Sequence, residues 1–590
     1  MIHESNKYRE EICNLKKKIA DIKISIQNKF QFSTLSFLFI ILYVNIFQLI
    51  FGKENSIVGV IFTIMMSASM VRDLTGAMLR HFFIQTVVLV WMAISAYLVT
   101  TLPAVLSVFI NFLTLAVILY AYTYEYAQHI YFPYILSYLF LIFLGPIKLV
   151  QLPTRLLAML AGAVSILLYQ WVMGRNRIIE TARDILSKMI DEIQNQIIKQ
   201  LLNGTVNDVD AVNDNLHKEL SQLIAAVYDR RKKALCISEA SFSMIDVGRG
   251  LESLSLSIQE YIKENPENEL EILQKLNLQL QDFQRYIHQE TVELPETEDL
   301  QWQGAAAILK HQLLYISNRL KRMSDPKHKI HYRKTAMTLR TQLQIALNYS
   351  PVRIVYALRT ACLLALAVQA VQALHLTYGK WLLFTLASLS LPYADDIPAK
   401  IKKRLCATLI GGFISLLIYA AIPSIMGRTV AMMLSGYLSF YFTDYRDTFI
   451  CSTIGALGGT VLLNVYGVVS VGYFVLIRLG YILMGIMIAF IVNCIIAPYT
   501  RKQATYQLWK KYHQVVEQLK YSCTRSQVDA QLYYSLVIQA FMLETKLKEN
   551  TTKADWARSQ EFLRECQYTI RHAHRRFIKG NHNFLNYEIS

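Results

Sequence analysis

SVGYFVLIRLGYILMGIMIAFIVNCIIA, residues 470–497, holds a single charge, Arg478, in a run long enough to cross a bilayer, which takes roughly 17–25 apolar residues. VRIVYALRTACLLALAVQAVQAL, residues 352–374, repeats the pattern with Arg353 and Arg359. Working outward, the second half of the chain offers candidate spans at 352–374, 381–393, 405–422, 425–442, 448–465 and 470–497. The first half offers 34–52, 56–72, 82–101, 103–122, 130–147 and 155–173. Stretch 381–393 is short for a crossing, and Pro392 is placed to end or kink it. The expected fold is therefore an all-α membrane protein: two six-helix transmembrane halves, a helical domain between them and a helical tail.

Charge supports this division. The formal net charge is +17, but residues 174–350 are near balance, with 23 Lys/Arg against 24 Asp/Glu. The excess lies in residues 1–33 (7 against 4), in residues 501–590 (15 against 8) and in short loops between apolar spans. Lys/Arg accumulate on the cytoplasmic side of membrane proteins. With an N-terminus inside, Arg72, Arg80, the run Lys400, Lys402, Lys403, Arg404, then Arg446, Arg501 and Lys502 all fall inside. Outside loops and their edges hold only Lys53, Lys148, Arg155, Lys380 and Arg428. Both termini are expected in the cytoplasm, and a nucleic-acid partner is not.

The expected organisation is 1–33, an amphipathic segment; 34–175, the first transmembrane half; 176–350, a cytoplasmic helical domain; 351–498, the second half; and 499–590, a cytoplasmic helical region. Residues 10–30, EEICNLKKKIADIKISIQNKF, interleave Ile/Leu with lysines, as a helix on the inner leaflet does. Residues 182–202 (ARDILSKMIDEIQNQIIKQLL) and 535–549 (SLVIQAFMLETKLKE) show helical three/four spacing, so insert and tail are expected to pack together. The halves resemble one another. Gly52-Lys53 and Gly379-Lys380 each precede an apolar span, with Arg80 and Arg404 opening the next, 27 and 24 residues after the lysine. A duplicated unit fits, as internal repeats are common in transporters.

The chemistry is sparse. Eight cysteines stand singly, and no GxxxxGK[ST] or HExxH occurs. No cofactor or metal is expected, no Ser/His/Asp set emerges, and the reading is not an enzyme. His572 and His574 in the basic tail read as solvated. Acids in the membrane portions (Glu54, Asp73, Glu125, Asp395, Asp396, Asp444 and Asp447) all map to span ends or loops. The deepest charges are Arg359, about 10 Å in, and Arg478, about 12 Å in, at 1.5 Å per residue. A charge within a bilayer costs several kcal/mol and marks function or a bonded partner. Both arginines are candidates to bind a substrate carboxylate through the planar fork, or else to bond helix-end carbonyls or snorkel. Asp395 and Asp396 beside KIKKR suggest a hinge-loop salt-bridge cluster. Gly411 and Gly412 suggest close helix contact.

The second half resembles the fusaric-acid-resistance/aromatic-acid-exporter (FUSC) superfamily. Trp381 with Thr385 and Pro392 resembles its "YW" span. Arg404-Leu-Cys-Ala-Thr408-Leu-Ile-Gly411-Gly412 resembles its "R…GT…G" signature, with Trp381, Arg404, Thr408 and Gly411 on matching positions. Lys380 stands where an aromatic is usual, and Ala407 where a glycine is. The order six spans, helical domain, six spans, tail also matches. The resemblance implies a multi-pass protein of the bacterial inner membrane, dimers among its assemblies and a periplasmic adaptor for some members. It implies export of organic anions such as aromatic carboxylic acids, driven by the proton motive force, with Arg404 and Trp381 joining Arg359 and Arg478 as candidate substrate contacts. Thr408, Gly411, Gly412, Asp395 and Asp396 are the conformational candidates. An anion channel of similar build and a non-transporting envelope scaffold are the alternatives.

Overall fold

The computed structural model describes residues 30–69, 78–123, 130–174, 177–203, 209–229, 238–264, 269–291, 293–294, 302, 306–325, 327–328, 350–442, 444–461, 468–524, 530–551 and 556–580. Among them there is no strand. The amphipathic N-terminal segment lies outside the described residues up to residue 29, as do Asp73 and Glu125.

Each expected span coincides with a helix. In the first half these are α1 (Phe30–Phe51), α2 (Ser56–Ser69), α3 (Met78–Thr101), α4 (Ala104–Tyr122), α5 (Tyr131–Phe143) and α6 (Leu152–Gly174). In the second they are α12 (Pro351–Ala373), α13 (Lys380–Leu389), α14 (Ile397–Ala421), α15 (Ile425–Ser439), α16 (Tyr445–Val461) and α17 (Val468–Phe490). The last continues as a π-helical turn over Ile491–Ile496. Seven helices (α1, α3, α4, α6, α12, α14 and α17, some with adjoining turns) are long and apolar enough to cross a membrane. The chain is a multi-pass membrane protein.

The remaining five are shorter, and α2, α5 and α13 are the most enclosed, with side chains such as Phe62, Ile135 and Leu383 at 0% exposure. α13 stops at Leu389 because Pro392 follows, and Leu391–Tyr393 run without helix to a 3-10 turn at Ala394–Asp396. α14 begins eight residues ahead of the expected 405, with Pro398 in its first turn. The KIKKR run is therefore helical and no loop. A fully polar loop would leave Arg404 at the surface; on this longer helix it is buried.

The packing repeats between halves. α3 meets α6 as α14 meets α17, α2 meets α6 as α13 meets α17, and α3 and α4 meet α5 as α14 and α15 meet α16. The halves join through α4 against α12 and α5 against α13. Arg155, expected outside, lies in the first turn of α6 and is 2% exposed. It donates to Asn55 Oδ1 (2.5 Å), Glu54 O (2.8 Å) and Gly145 O (3.2 Å), tying both loops beneath α2.

Between the halves lie α7 (Arg177–Asn203), α8 (Val209–Asp229), α9 (Glu239–Glu264), α10 (Glu269–Ile287) and α11 (Ala306–Ser324). After them come α18 (Arg501–Thr524), α19 (Ala530–Asn550) and α20 (Trp556–Gly580). One apolar core, including Leu220, Leu254, Leu276, Leu313, Val537 and Leu563, spans insert and tail and makes them a single helical body. A buried ion cluster crosses its seam. His217 of α8 faces Glu252 of α9 through Nδ1 at 2.8 Å and Glu544 of α19 through Nε2 at 2.6 Å. Gln567 and Lys548 also bond Glu544, at 2.6 and 2.8 Å. His572 is exposed, whereas His574 is buried with Nδ1 3.2 Å from Tyr533 Oη, so only the first matches the solvated expectation.

Candidate functional site

The second membrane segment brings four helices around two cations. Arg404 lies in the third turn of α14 and Arg478 at mid-length in α17; they are 3% and 5% exposed. Close approach of the helices encloses them. A Cβ on Gly411 would meet Thr453 Cβ of α16 at 2.9 Å and Ile450 O at 3.0 Å, and one on Gly412 would meet Val475 Cγ1 of α17 at 3.0 Å. Thr408 is buried and donates back to Arg404 O (3.0 Å), so it serves the helix locally.

Each guanidinium rests against an aromatic face. Arg478 Cζ is 5.1 Å from the Trp381 ring centre, and Trp381 stacks on Tyr378 at 5.1 Å. Arg404 Cζ is 4.1 Å from the Phe449 ring centre. Such contacts hold a cation without neutralising it. On both arginines, Nε and Nη1 are buried without a hydrogen-bond partner. Their helices α14 and α17 pack directly against each other.

No carboxylate is spare to answer them. Residues 351–500 contain four acids, Asp395, Asp396, Asp444 and Asp447. Asp396 forms a forked pair with Arg501 (2.9 and 2.9 Å), and Asp395 accepts from Arg501 N at 2.6 Å. Asp444 is held by Lys403 at 2.9 Å and Asp447 by Arg446 at 2.8 Å. The Asp395–Asp396 turn thus joins the start of α18, and Arg501 Nη1 reaches on to Glu549 O (3.2 Å) and Asn550 Oδ1 (3.3 Å) at the end of α19.

Arg359 is placed differently. Its Nη1 donates to Ala497 O (2.9 Å) and its Nη2 to Leu391 O (2.5 Å), the carbonyls where α17 and α13 end. Irregular backbone at membrane depth needs such internal partners. The structure therefore brings Arg404, Arg478 and Trp381 together and sets Arg359 among helix ends. Tyr378 and Phe449 join the site without having been expected. Phe449 lies 45 residues beyond Arg404, and no local spacing connects them. Trp381 with an aromatic three residues before it is the one signal that pointed to Tyr378.

Residues 364–492 match the sequence profile of a family described as fusaric acid resistance protein-like. Over this segment the chain is similar to that family. The segment contains Trp381, Arg404, Phe449 and Arg478, and it leaves Arg353 and Arg359 ahead of its boundary. Neither the curated proteins nor the solved structures gave a match to the chain. The match fits a membrane transport or resistance role.

Proposed function

We propose that the protein is a secondary efflux transporter of organic anions, such as aromatic carboxylic acids, in a bacterial inner membrane with both termini in the cytoplasm. The observation that carries this is the pair Arg404 and Arg478. Two buried guanidiniums with unbonded nitrogens, and every nearby acid engaged elsewhere, form a positive site inside an apolar bundle. A carboxylate entering there satisfies the planar fork of either arginine. Its ring then lies against Trp381, Tyr378 or Phe449. Binding offsets the charge buried between the two helices, which couples occupancy to movement of α14 against α17. The proton motive force is the proposed driving energy.

Uptake of a labelled aromatic acid into inverted membrane vesicles, with and without a pH gradient, tests the proposal. The expected result is gradient-dependent uptake that Arg404→Gln and Arg478→Gln each reduce at least tenfold at unchanged protein level. Uptake by neither wild type nor variants across a broad panel of organic acids refutes transport. Loss of the phenotype only when residues 174–350 are deleted would favour the scaffold.

A further inference from the structure

A second anion-binding geometry sits where the membrane segment meets the helical body. A cavity of about 100 Å³ is lined by Ser350, Pro351 and Val352 at the start of α12, by Tyr393, and by Gln507, Lys511 and Lys546 of α18 and α19. α12 is long enough to cross the membrane, so its first turn marks the boundary between apolar and polar surroundings. Tail and membrane segment meet at this point.

The start of α12 is left open. Ser350 occupies the N-cap, the position from which a side-chain oxygen ordinarily accepts a first-turn N–H, yet it makes no such bond. Its hydroxyl is buried, at 0% residue exposure, and has no hydrogen-bond partner. Pro351 has no N–H, and those of Val352 and Arg353 precede the first carbonyl that a helix can offer. The positive end of a 23-residue helix therefore faces the cavity, uncapped, beside a buried hydroxyl. Two ammonium groups complete the lining. Lys546 has one carboxylate partner, the exposed side chain of Glu549 at 3.0 Å.

We infer that this cavity binds a phosphate group, held by the Val352 and Arg353 amides, the Ser350 hydroxyl and the Lys511 and Lys546 ammoniums. The donor set distinguishes phosphate from carboxylate. A carboxylate is served by one planar fork, whereas a tetrahedral oxyanion takes donors from several directions, and lysines bind it as point charges. Helix N-termini supply the remaining contacts. A phospholipid headgroup reaches the cavity from the bilayer and a free phosphate from solution. Either source would clamp α12, α18 and α19 to one another. The inference is independent of what the membrane site transports.

Hydrogen–deuterium exchange on the full-length protein tests it at the atoms concerned. Inorganic phosphate is titrated in detergent, and vesicles of phosphatidylcholine are compared with vesicles of phosphatidylcholine and phosphatidylglycerol. Saturable slowing of exchange in the peptide spanning 350–356 is expected, from phosphate alone if the source is soluble and only from phosphatidylglycerol if it is lipid. Lys511→Ala/Lys546→Ala should weaken the effect at least tenfold, while Lys275→Ala/Lys520→Ala, exposed lysines elsewhere in the body, should not. Ser350→Asp caps the helix with its own anion, so it should slow exchange without ligand and abolish the response. No response to either probe, or an equal response in the cavity and control variants, overturns the assignment.

Discussion

Replacing His217 should loosen the seam between insert and tail more than any other single polar change in the body. Burial alone would lower the imidazole pKa, but Glu544 and Glu252, both within 2.8 Å, outweigh it and raise it to about 9. Glu544 responds in the opposite sense: burial would raise its pKa, and the His217 charge brings it down to about 2. His217→Ala removes the cation between two buried carboxylates and leaves them only Lys548 (2.8 Å from Glu544) and the partly exposed Arg571 (3.5 Å from Glu252), which places the loss at about 3 kcal/mol, the low end for a broken buried pair. At about 2–4 °C per kcal/mol for a body of this size, the apparent thermal midpoint falls by roughly 10 °C. The pH dependence gives a sharper test. A histidine whose folded pKa exceeds its unfolded value near 6.5 stabilises fully below that value and loses the contribution as pH rises towards 9. Glu544 adds stability above about 4.5 and loses it as pH falls towards 2. His217→Gln keeps hydrogen bonds and removes the charge. Between pH 6.5 and 9 the wild-type midpoint should therefore fall more steeply than that of His217→Gln, measured by circular dichroism in detergent. Parallel slopes, or a His217→Ala cost below about 1 kcal/mol, would refute the charge-clamp reasoning.

Three further outcomes follow from the membrane segment. Arg404→Met and Arg478→Met each exchange an unpaired buried charge for an apolar chain, so each should raise the thermal midpoint, by about 1–4 kcal/mol of stability, while losing vesicle uptake. A lower midpoint would mean that the guanidiniums have unseen partners. Arg359→Ala strips Leu391 O and Ala497 O of their donor, at about 1–3 kcal/mol for each buried carbonyl, read as a drop in midpoint of the purified protein. Gly162→Leu places a Cβ within 1.9 Å of the fully buried Phe62 ring, and the overpacking between α2 and α6 should cost about 1–3 kcal/mol, visible as lower recovery of monodisperse protein.

Hydropathy located the seven helices of membrane-crossing length because length and composition are local properties. Helix ends were harder to read. The start of α14 was hidden because KIKKR reads as a polar loop, although lysine and arginine are good helix formers and their stems suit a membrane edge. The bonds of Arg155 were hidden for a related reason: its partners Asn55, Glu54 and Gly145 lie on another loop and a distant turn. At the candidate site the sequence offered Arg404, Arg478 and Trp381 as separate items of suspicion, one by depth and two by resemblance. That they share one enclosure depends on α13, α14 and α17 meeting, a tertiary fact. The same limit applies to Arg359, whose depth in the sequence equalled that of a ligand-binding cation while its bonds go to the backbone.

The recurrence of one packing scheme in both halves has a mechanical corollary. Two copies of a unit need not be in the same state at once. Here the first copy packs α3 against α4, with Trp91 and Ser95 bonded to Thr114, while in the second the matching α14 and α15 touch far less. Exchanging those two states between the copies, so that the first relaxes as the second tightens, generates a distinct conformer from parts already present.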